Sequence, residues 1–285
     1  IKEAVRKFTE DCEARHLGWE SRRKYRNLLE TRLLAWCENR GYRLLKQLDV
    51  ERVGEFRASW RDGAIYASKN LERLRTFFRF SVARGWMPDN PATLIKAPKV
   101  TEPPVVPFTE EEFQKILGAC DRYPGNRDRI RAFVLVARYS GMRIGDICTL
   151  RQDKVQDGKI SLRTAKTGTV IWVPVPAVVT EALGKLPAGK YYFWTGQSSV
   201  RCITSNWERY LKSLFELTDV EHPHAHRFRH LFAASLLEKG VPTETVAALL
   251  GHANPRITAK HYSQWVKSRQ VLLEEAVRRT WIREV

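Results

Sequence analysis

No apolar run in the 285-residue sequence approaches the ~18 residues that a membrane span needs, and nothing at its N-terminus reads as a signal peptide. Cysteine is scarce and scattered. Cys12, Cys37, Cys120, Cys148 and Cys202 form no CxxC pair, which argues against a zinc ribbon and against a disulfide scaffold. A soluble, cytoplasmic protein of a reducing compartment is expected. Acidic residues are also short, 32 Asp and Glu against 49 Lys and Arg, and no group of carboxylates is placed to hold the ions of a two-metal nuclease. There is no HExxH, no internal repeat and no low-complexity tract. The chain starts at Ile1 rather than Met, so a preceding segment is an expectation too.

What the sequence does have is positive charge. The formal net charge is +17, and such an imbalance costs self-repulsion that a polyanionic partner relieves. The excess is shared: residues 1–97 carry 21 basic and 13 acidic side chains, and residues 98–285 carry 28 and 19. A basic tail on a neutral enzyme would not be distributed this way, so both halves are expected to face the same polyanion.

Pro98, Pro103, Pro104 and Pro107 crowd one short stretch. Proline fixes φ and removes a backbone donor, so residues 98–107 read as an extended linker between a domain at 1–97 and another at 108–285. Thr109 and Glu112 then fit a capping box, which predicts a helix through about Cys120. In the first half, Tyr25, Leu28, Leu29, Leu33 and Trp36 recur at helical spacing before Gly41. Leu71, Leu74, Phe78 and Val82 mark another helix, with Arg73, Arg75 and Arg79 on other faces. A bundle of about four helices follows, its exposed arginines suited to phosphate contacts.

The second half is mixed. Residues 128–139 are apolar nearly all round and predict a buried helix. Residues 159–175 alternate, break at Lys166–Gly168 and resume, which predicts a β-hairpin ended by Pro174 and Pro176. Helices are expected over 206–215, 227–238, 243–250 and a stretch through Tyr262. The fold class is therefore mainly α with a small β-hairpin or sheet. A helical bundle comes first and a mixed α/β domain second.

Six of seven histidines, His222, His224, His226, His230, His252 and His261, lie within forty residues. A metal site would need ligands on a shared face with carboxylate or thiolate help, which is sparse here. Phosphate chemistry is the alternative. His226 and Arg229, three apart on a predicted helix, emerge on one face. A guanidinium supplies fixed paired donors to a phosphodiester, and an imidazole can relay a proton. His224 and Arg227 satisfy the same spacing.

HxxR alone is a weak signal, but here it has ordered neighbours. Arg143 within Ser140–Asp146, Lys166 in the hairpin, His226 and Arg229, His252 after Leu249–Gly251, and Tyr262 form a series. This series resembles the tyrosine recombinase (phage integrase) family. His230, Phe232 and Ala233 fall where the family expects them if His226 and Arg229 are the pair. Departures are Arg227, where a small or acidic residue is common, and Phe228, where leucine is usual. The interval from His252 to Tyr262 is also about one residue long.

The resemblance implies that 108–285 is catalytic and that 1–97 is a DNA core-binding domain. It implies Tyr262 as the nucleophile forming a 3′-phosphotyrosyl bond, and Arg143 and Arg229 on the non-bridging oxygens. Lys166 would protonate the leaving 5′-oxygen, His226 would assist proton transfer at the tyrosine, and His252 would hydrogen-bond the phosphate. Asp146 and His230 would support these groups. Since the covalent link conserves phosphodiester energy, no cofactor, metal or ATP is expected. The implied partner is a double-stranded DNA recombination site, with no membrane association and a nucleoid-associated place of action. An amphipathic tail helix at 268–282, carrying Leu273, Val277 and Trp281, would dock on a neighbouring protomer, giving a tetramer on DNA. A type IB topoisomerase and a non-catalytic DNA-binding regulator are the competing readings.

Overall fold

The computed structural model describes residues 1–101, 106–164, 168–252, 254–262 and the isolated positions 274, 277 and 278. Two compact units divide the chain, Ile1–Pro103 and Pro104–Val285. The expected tail helix lies, those isolated positions apart, outside the described residues.

The first unit is all helical. It comprises α1 (Lys2–Ala14), α2 (Trp19–Arg26), α3 (Leu34–Glu38), α4 (Val50–Ala58) and α5 (Ala64–Ala83), and a π-helical stretch, Asn27–Leu33, joins α2 to α3. Leu28, Leu29, Leu33 and Trp36 are buried, as are Leu71, Leu74 and Phe78. The apolar spacing in the sequence therefore marks the faces that pack. Phe8 sits edge-on to Tyr25, Phe77 and Phe80 at the centre of this core.

The expected row of free arginines on α5 needs correcting. Only Arg79 is exposed, while Arg73 and Arg75 are half-buried. Arg75 donates to the carbonyls of Ala92 (3.0 Å) and Ile95 (2.7 Å) and to Glu72 (2.6 Å). Its guanidinium ties the chain after α5 back onto the helix, replacing water for two backbone acceptors that would otherwise lack partners.

The second unit begins with α6 (Glu110–Ala119). Thr109 Oγ1 accepts from the Glu112 amide, and the Glu112 carboxylate accepts from the Thr109 amide, so the capping box forms as the sequence predicts. Next come α7 (Arg127–Ser140), α8 (Ile144–Cys148), then β1 (Val155–Gln156), β2 (Lys159–Arg163) and β3 (Val170–Pro174). The rest is α9 (Ala177–Gly184), α10 (Val200–Phe215), α11 (His226–Glu238), α12 (Thr243–Leu249) and a helical stretch at 255–262.

Helix α7 is the central element, buried from Ala132 through Ala137. Its Phe133 stacks on Trp207 of α10 at 4.0 Å. The strands form one antiparallel sheet in the order β1-β2-β3, with Ile160 opposite Val173 and Ser161 opposite Trp172. Ile160, Ile171 and Val173 face the core, whereas Trp172 stays 65% exposed. Helices α8 and α9 are absent from the sequence reading, and two further features differ from it. The two-residue β1 is too short to show a period. Helix α10 starts six residues before the expected Asn206, where Ser199 caps it by accepting from the Cys202 amide.

Gly141 is where the fold commits to a site. It ends α7 in the left-handed conformation (φ 60°), and a Cβ there would lie 2.4 Å from the Phe232 ring of α11. Glycine alone meets both demands. The turn it makes brings α7 against α11 and delivers Arg143 as the residue just before α8.

Candidate active site

The site is assembled from three helix ends and one further helical stretch. Arg143 stands at the N-cap of α8, and His226, Arg229 and His230 occupy the first turns of α11. His252 follows α12 through a Schellman turn. In that turn the His252 amide donates to the Ala247 carbonyl and the Gly251 amide to that of Ala248, with Gly251 at φ 61°. Tyr262 lies on the 255–262 helical stretch.

Arg229 is only 3% exposed. Its Nη1 donates to the Gly141 carbonyl and its Nη2 to the Leu250 carbonyl, each at 2.7 Å. Both acceptors are terminal carbonyls, at the ends of α7 and α12, where the helix dipoles are negative. This clamp is how a guanidinium survives burial. Burial and the nearby Arg143 pull its pKa down to about 10, Tyr262 and Asp146 offset part of that, and the group stays charged at neutral pH.

Arg229 Nη2 also lies 2.8 Å from His252 Nε2, while His252 Nδ1 lies 2.7 Å from Thr258 Oγ1. Arginine can only donate, so Nε2 accepts and Nδ1 carries the proton to the threonine hydroxyl. In this state Nε2 has no proton for a phosphate oxygen. The contact expected of His252 therefore needs a second proton, or release from Arg229 together with a switch of tautomer that moves the proton to Nε2.

Tyr262 is 2% exposed, and its hydroxyl lies 2.7 Å from His230 Nδ1. Burial pushes the phenol up to about 12, against the pull of Arg229. His230 packs edge-on to His226 at 4.6 Å. The sequence reading gave His230 only a supporting part and assigned the tyrosine to His226, which is exposed at the start of α11. The spacing held the signal: His230 is one turn beyond His226 on the same helix face.

Arg143 is half-buried, and its Nη1 is buried without a hydrogen-bond partner among the described residues. An orphaned cationic donor beside a second buried guanidinium is costly. An anion between the two would relieve both the repulsion and the missing bond. Among the described residues, no group of three or more His, Cys, Asp or Glu side chains is arranged to hold a metal ion. No helix there is long and apolar enough to cross a membrane. Lys166 lies outside the described residues.

The rival pair, His224 and Arg227, separates. Arg227 is buried and engaged elsewhere, donating to Glu112 Oε2 (2.6 Å), the Glu221 carbonyl (2.7 Å) and the Pro107 carbonyl (3.0 Å). It lies over the Phe108 ring at 4.3 Å, and Phe228 packs on the same ring at 4.8 Å. Arg227 and Phe228, two of the three departures from the family pattern, thus meet on Phe108 and hold the segment before α6.

Burial, helped by positive surroundings, keeps two imidazoles neutral. Burial, then Arg229, Arg143, His261 and His226, lower His252 to about 4. Burial, then His226, His224, Arg229 and His261, lower His230 to about 3. Because the unfolded chain binds these protons and the folded one refuses them, stability is expected to fall as pH drops from about 6.5 toward about 4. Allowing for partial solvent screening, the loss at pH 5 relative to pH 7 is about 2 kcal/mol. Urea unfolding at the two pH values measures it, and His252→Gln should roughly halve the difference, since His230 keeps its share.

Comparison with known proteins places the sequence in a family and matches the fold. The model of the phage integrase family matches residues 107–269. The tyrosine recombinase XerA of Thermococcus kodakarensis is 29% identical over 205 residues, covering 68% of this chain and 70% of that protein. Lambda integrase (residues 75–356), solved as a dimer bound to a COC′ core site, superposes with a TM-score of 0.72 at 20% identity. That match covers 90% of this chain and 96% of that one. Lambda integrase as a tetramer bound to a Holliday junction superposes with a TM-score of 0.70 at 20% identity, covering 89% and 77%. The two structural likenesses concern the fold: mainly helical, with one small sheet.

Proposed function

The chain belongs to the phage integrase family, and we propose that it is a site-specific DNA recombinase of integrase or transposase type that cuts with its own Tyr262. As a tyrosine recombinase it breaks and rejoins DNA strands. The observation that carries the finer reading is the buried Tyr262 hydroxyl held at His230 under the pull of Arg229, which itself contacts His252, while Arg143 keeps an Nη1 without a hydrogen-bond partner among the described residues.

In the proposed step, Tyr262 Oη attacks the scissile phosphorus and gives up its proton. The bond from phosphorus to the 5′-oxygen breaks, and that oxygen takes up a proton from Lys166. The assignment of Lys166 rests on its place between β2 and β3. One phosphodiester is exchanged for another, so the step is energetically close to neutral and needs neither ATP nor a metal ion. Arg143 and Arg229 neutralise charge on the non-bridging oxygens as it grows in the pentacoordinate transition state, and His226 and His252 serve the proton and the phosphate. Attack by a 5′-hydroxyl from a second duplex reverses the chemistry and completes the exchange.

Double-stranded DNA is the proposed partner, held by the helical first unit as well as the second. Lambda integrase is captured as a dimer on a core site and a tetramer on a Holliday junction. The same assembly is proposed here, with residues 268–282 reaching a neighbouring protomer. Supercoil relaxation and two-site recombination, run side by side on DNA fragments enriched by binding to the protein, test the reading. Joint products between two sites are expected. Relaxation without them would mean a type IB topoisomerase.

A further inference from the structure

We propose that His230 is the residue that positions the Tyr262 hydroxyl for attack, a role resting on the reading of Tyr262 as the nucleophile. His230 Nδ1 is 2.7 Å from Tyr262 Oη. The tyrosine is 2% exposed, and a phenol hydroxyl removed from water needs a partner to fix where its oxygen points. The imidazole that provides this is itself held, half-buried and edge-on to the His226 ring.

Its place in the chain gives the contact a second meaning. His230 directly follows Arg229 on α11, and Arg229 is fixed by the Gly141 and Leu250 carbonyls. One rigid helix thus carries both a guanidinium meant for the phosphate and the anchor of the oxygen that attacks it. The distance between nucleophile and phosphate is set by adjacent residues of a single element, not by two loops. Reaction rate is steeply sensitive to such placement.

Positioning, rather than proton removal, is the role that the surroundings favour. Burial first, then His226, His224, Arg229 and His261, disfavour charge on the His230 ring, while burial also makes the phenol harder to ionise than usual. A proton leaving Tyr262 would not come to rest on His230. The neutral ring instead holds the hydroxyl through one hydrogen bond.

The test compares His230→Asn with His230→Gln. Asparagine places an amide at about the reach of Nδ1, glutamine at about that of Nε2. Covalent adduct formation on a nicked suicide duplex is followed in single turnover at saturating DNA, with rates normalised to the DNA-binding-competent fraction. The asparagine variant is expected to react within about threefold of wild type, and the glutamine variant about 10- to 100-fold more slowly, the range one hydrogen bond spans. Kd should stay within about twofold for both, since uniform binding is not what is removed. Equal loss in both variants, no loss in either, or loss in asparagine alone would each overturn the proposal. Tyr262→Phe is run in parallel: an adduct persisting there refutes Tyr262 as nucleophile, a failure distinct from that of His230.

Discussion

Raising salt from about 50 to about 200 mM is expected to weaken DNA binding by about 10³–10⁵-fold, the response to roughly six to ten phosphate contacts. Not all of the 49 Lys and Arg side chains are free to meet phosphates. Arg75, Arg227 and Arg229 are committed to backbone carbonyls or to Glu112, and Arg6, Arg26 and Arg131 are paired with carboxylates. What remains on the surface of both units still suffices for contacts of that order. Fluorescence anisotropy across a salt series reads the result as a slope of log affinity against log salt of about −5 to −9. A slope shallower than about −2 would mean that few phosphates are neutralised, and the polyanion reading of the composition would fall.

Replacing Arg143 with alanine is expected to slow strand cleavage by at least about 10²–10³-fold, the cost of removing one preorganised donor from developing charge. Its fold should survive. Among the described residues Arg143 Nη1 has no partner to lose, whereas Arg229 clamps the ends of two helices, so Arg229→Ala mixes lost chemistry with lost structure. Single-turnover cleavage with a parallel melting curve separates the two cases. A change of only twofold or so would mean that Arg143 does not touch the transition state. Because Tyr262 sits in the same chain's site as Arg229 and His230, mixing Arg143→Ala with Tyr262→Phe protein should not restore cleavage.

Local signals in the sequence proved reliable where one element decides the outcome. The Thr109–Glu112 capping box, the apolar faces of α5 and α7 and the alternation of β2 and β3 depend on neighbours a few residues away, and all are formed. The order Arg143, Lys166, His226, Arg229, His252, Tyr262 was legible only through its resemblance to the tyrosine recombinase family, and the Gly141 stop and the Gly251 turn are the local devices that place two of these residues. Partners brought from far along the chain were not legible. Periodicity put Arg75 on a polar face but could not reveal that the Ala92 and Ile95 carbonyls would return to it. Nor could it distinguish His226 from His230 as the neighbour of Tyr262, because both lie on one helix face and only the path of the 255–262 stretch chooses between them. Arg227 looked like a departure in the sequence because Glu112 and Phe108, which explain it, precede it by more than a hundred residues.

The central claim is that Tyr262 forms the covalent link to DNA without a metal ion. Trapping on a nicked suicide duplex in the presence of EDTA, with wild-type and Tyr262→Phe protein side by side, tests it most directly. The account predicts a protein–DNA adduct in the wild type, unchanged by EDTA, that is absent from the variant. An adduct that persists in Tyr262→Phe, or one that EDTA abolishes, would contradict it.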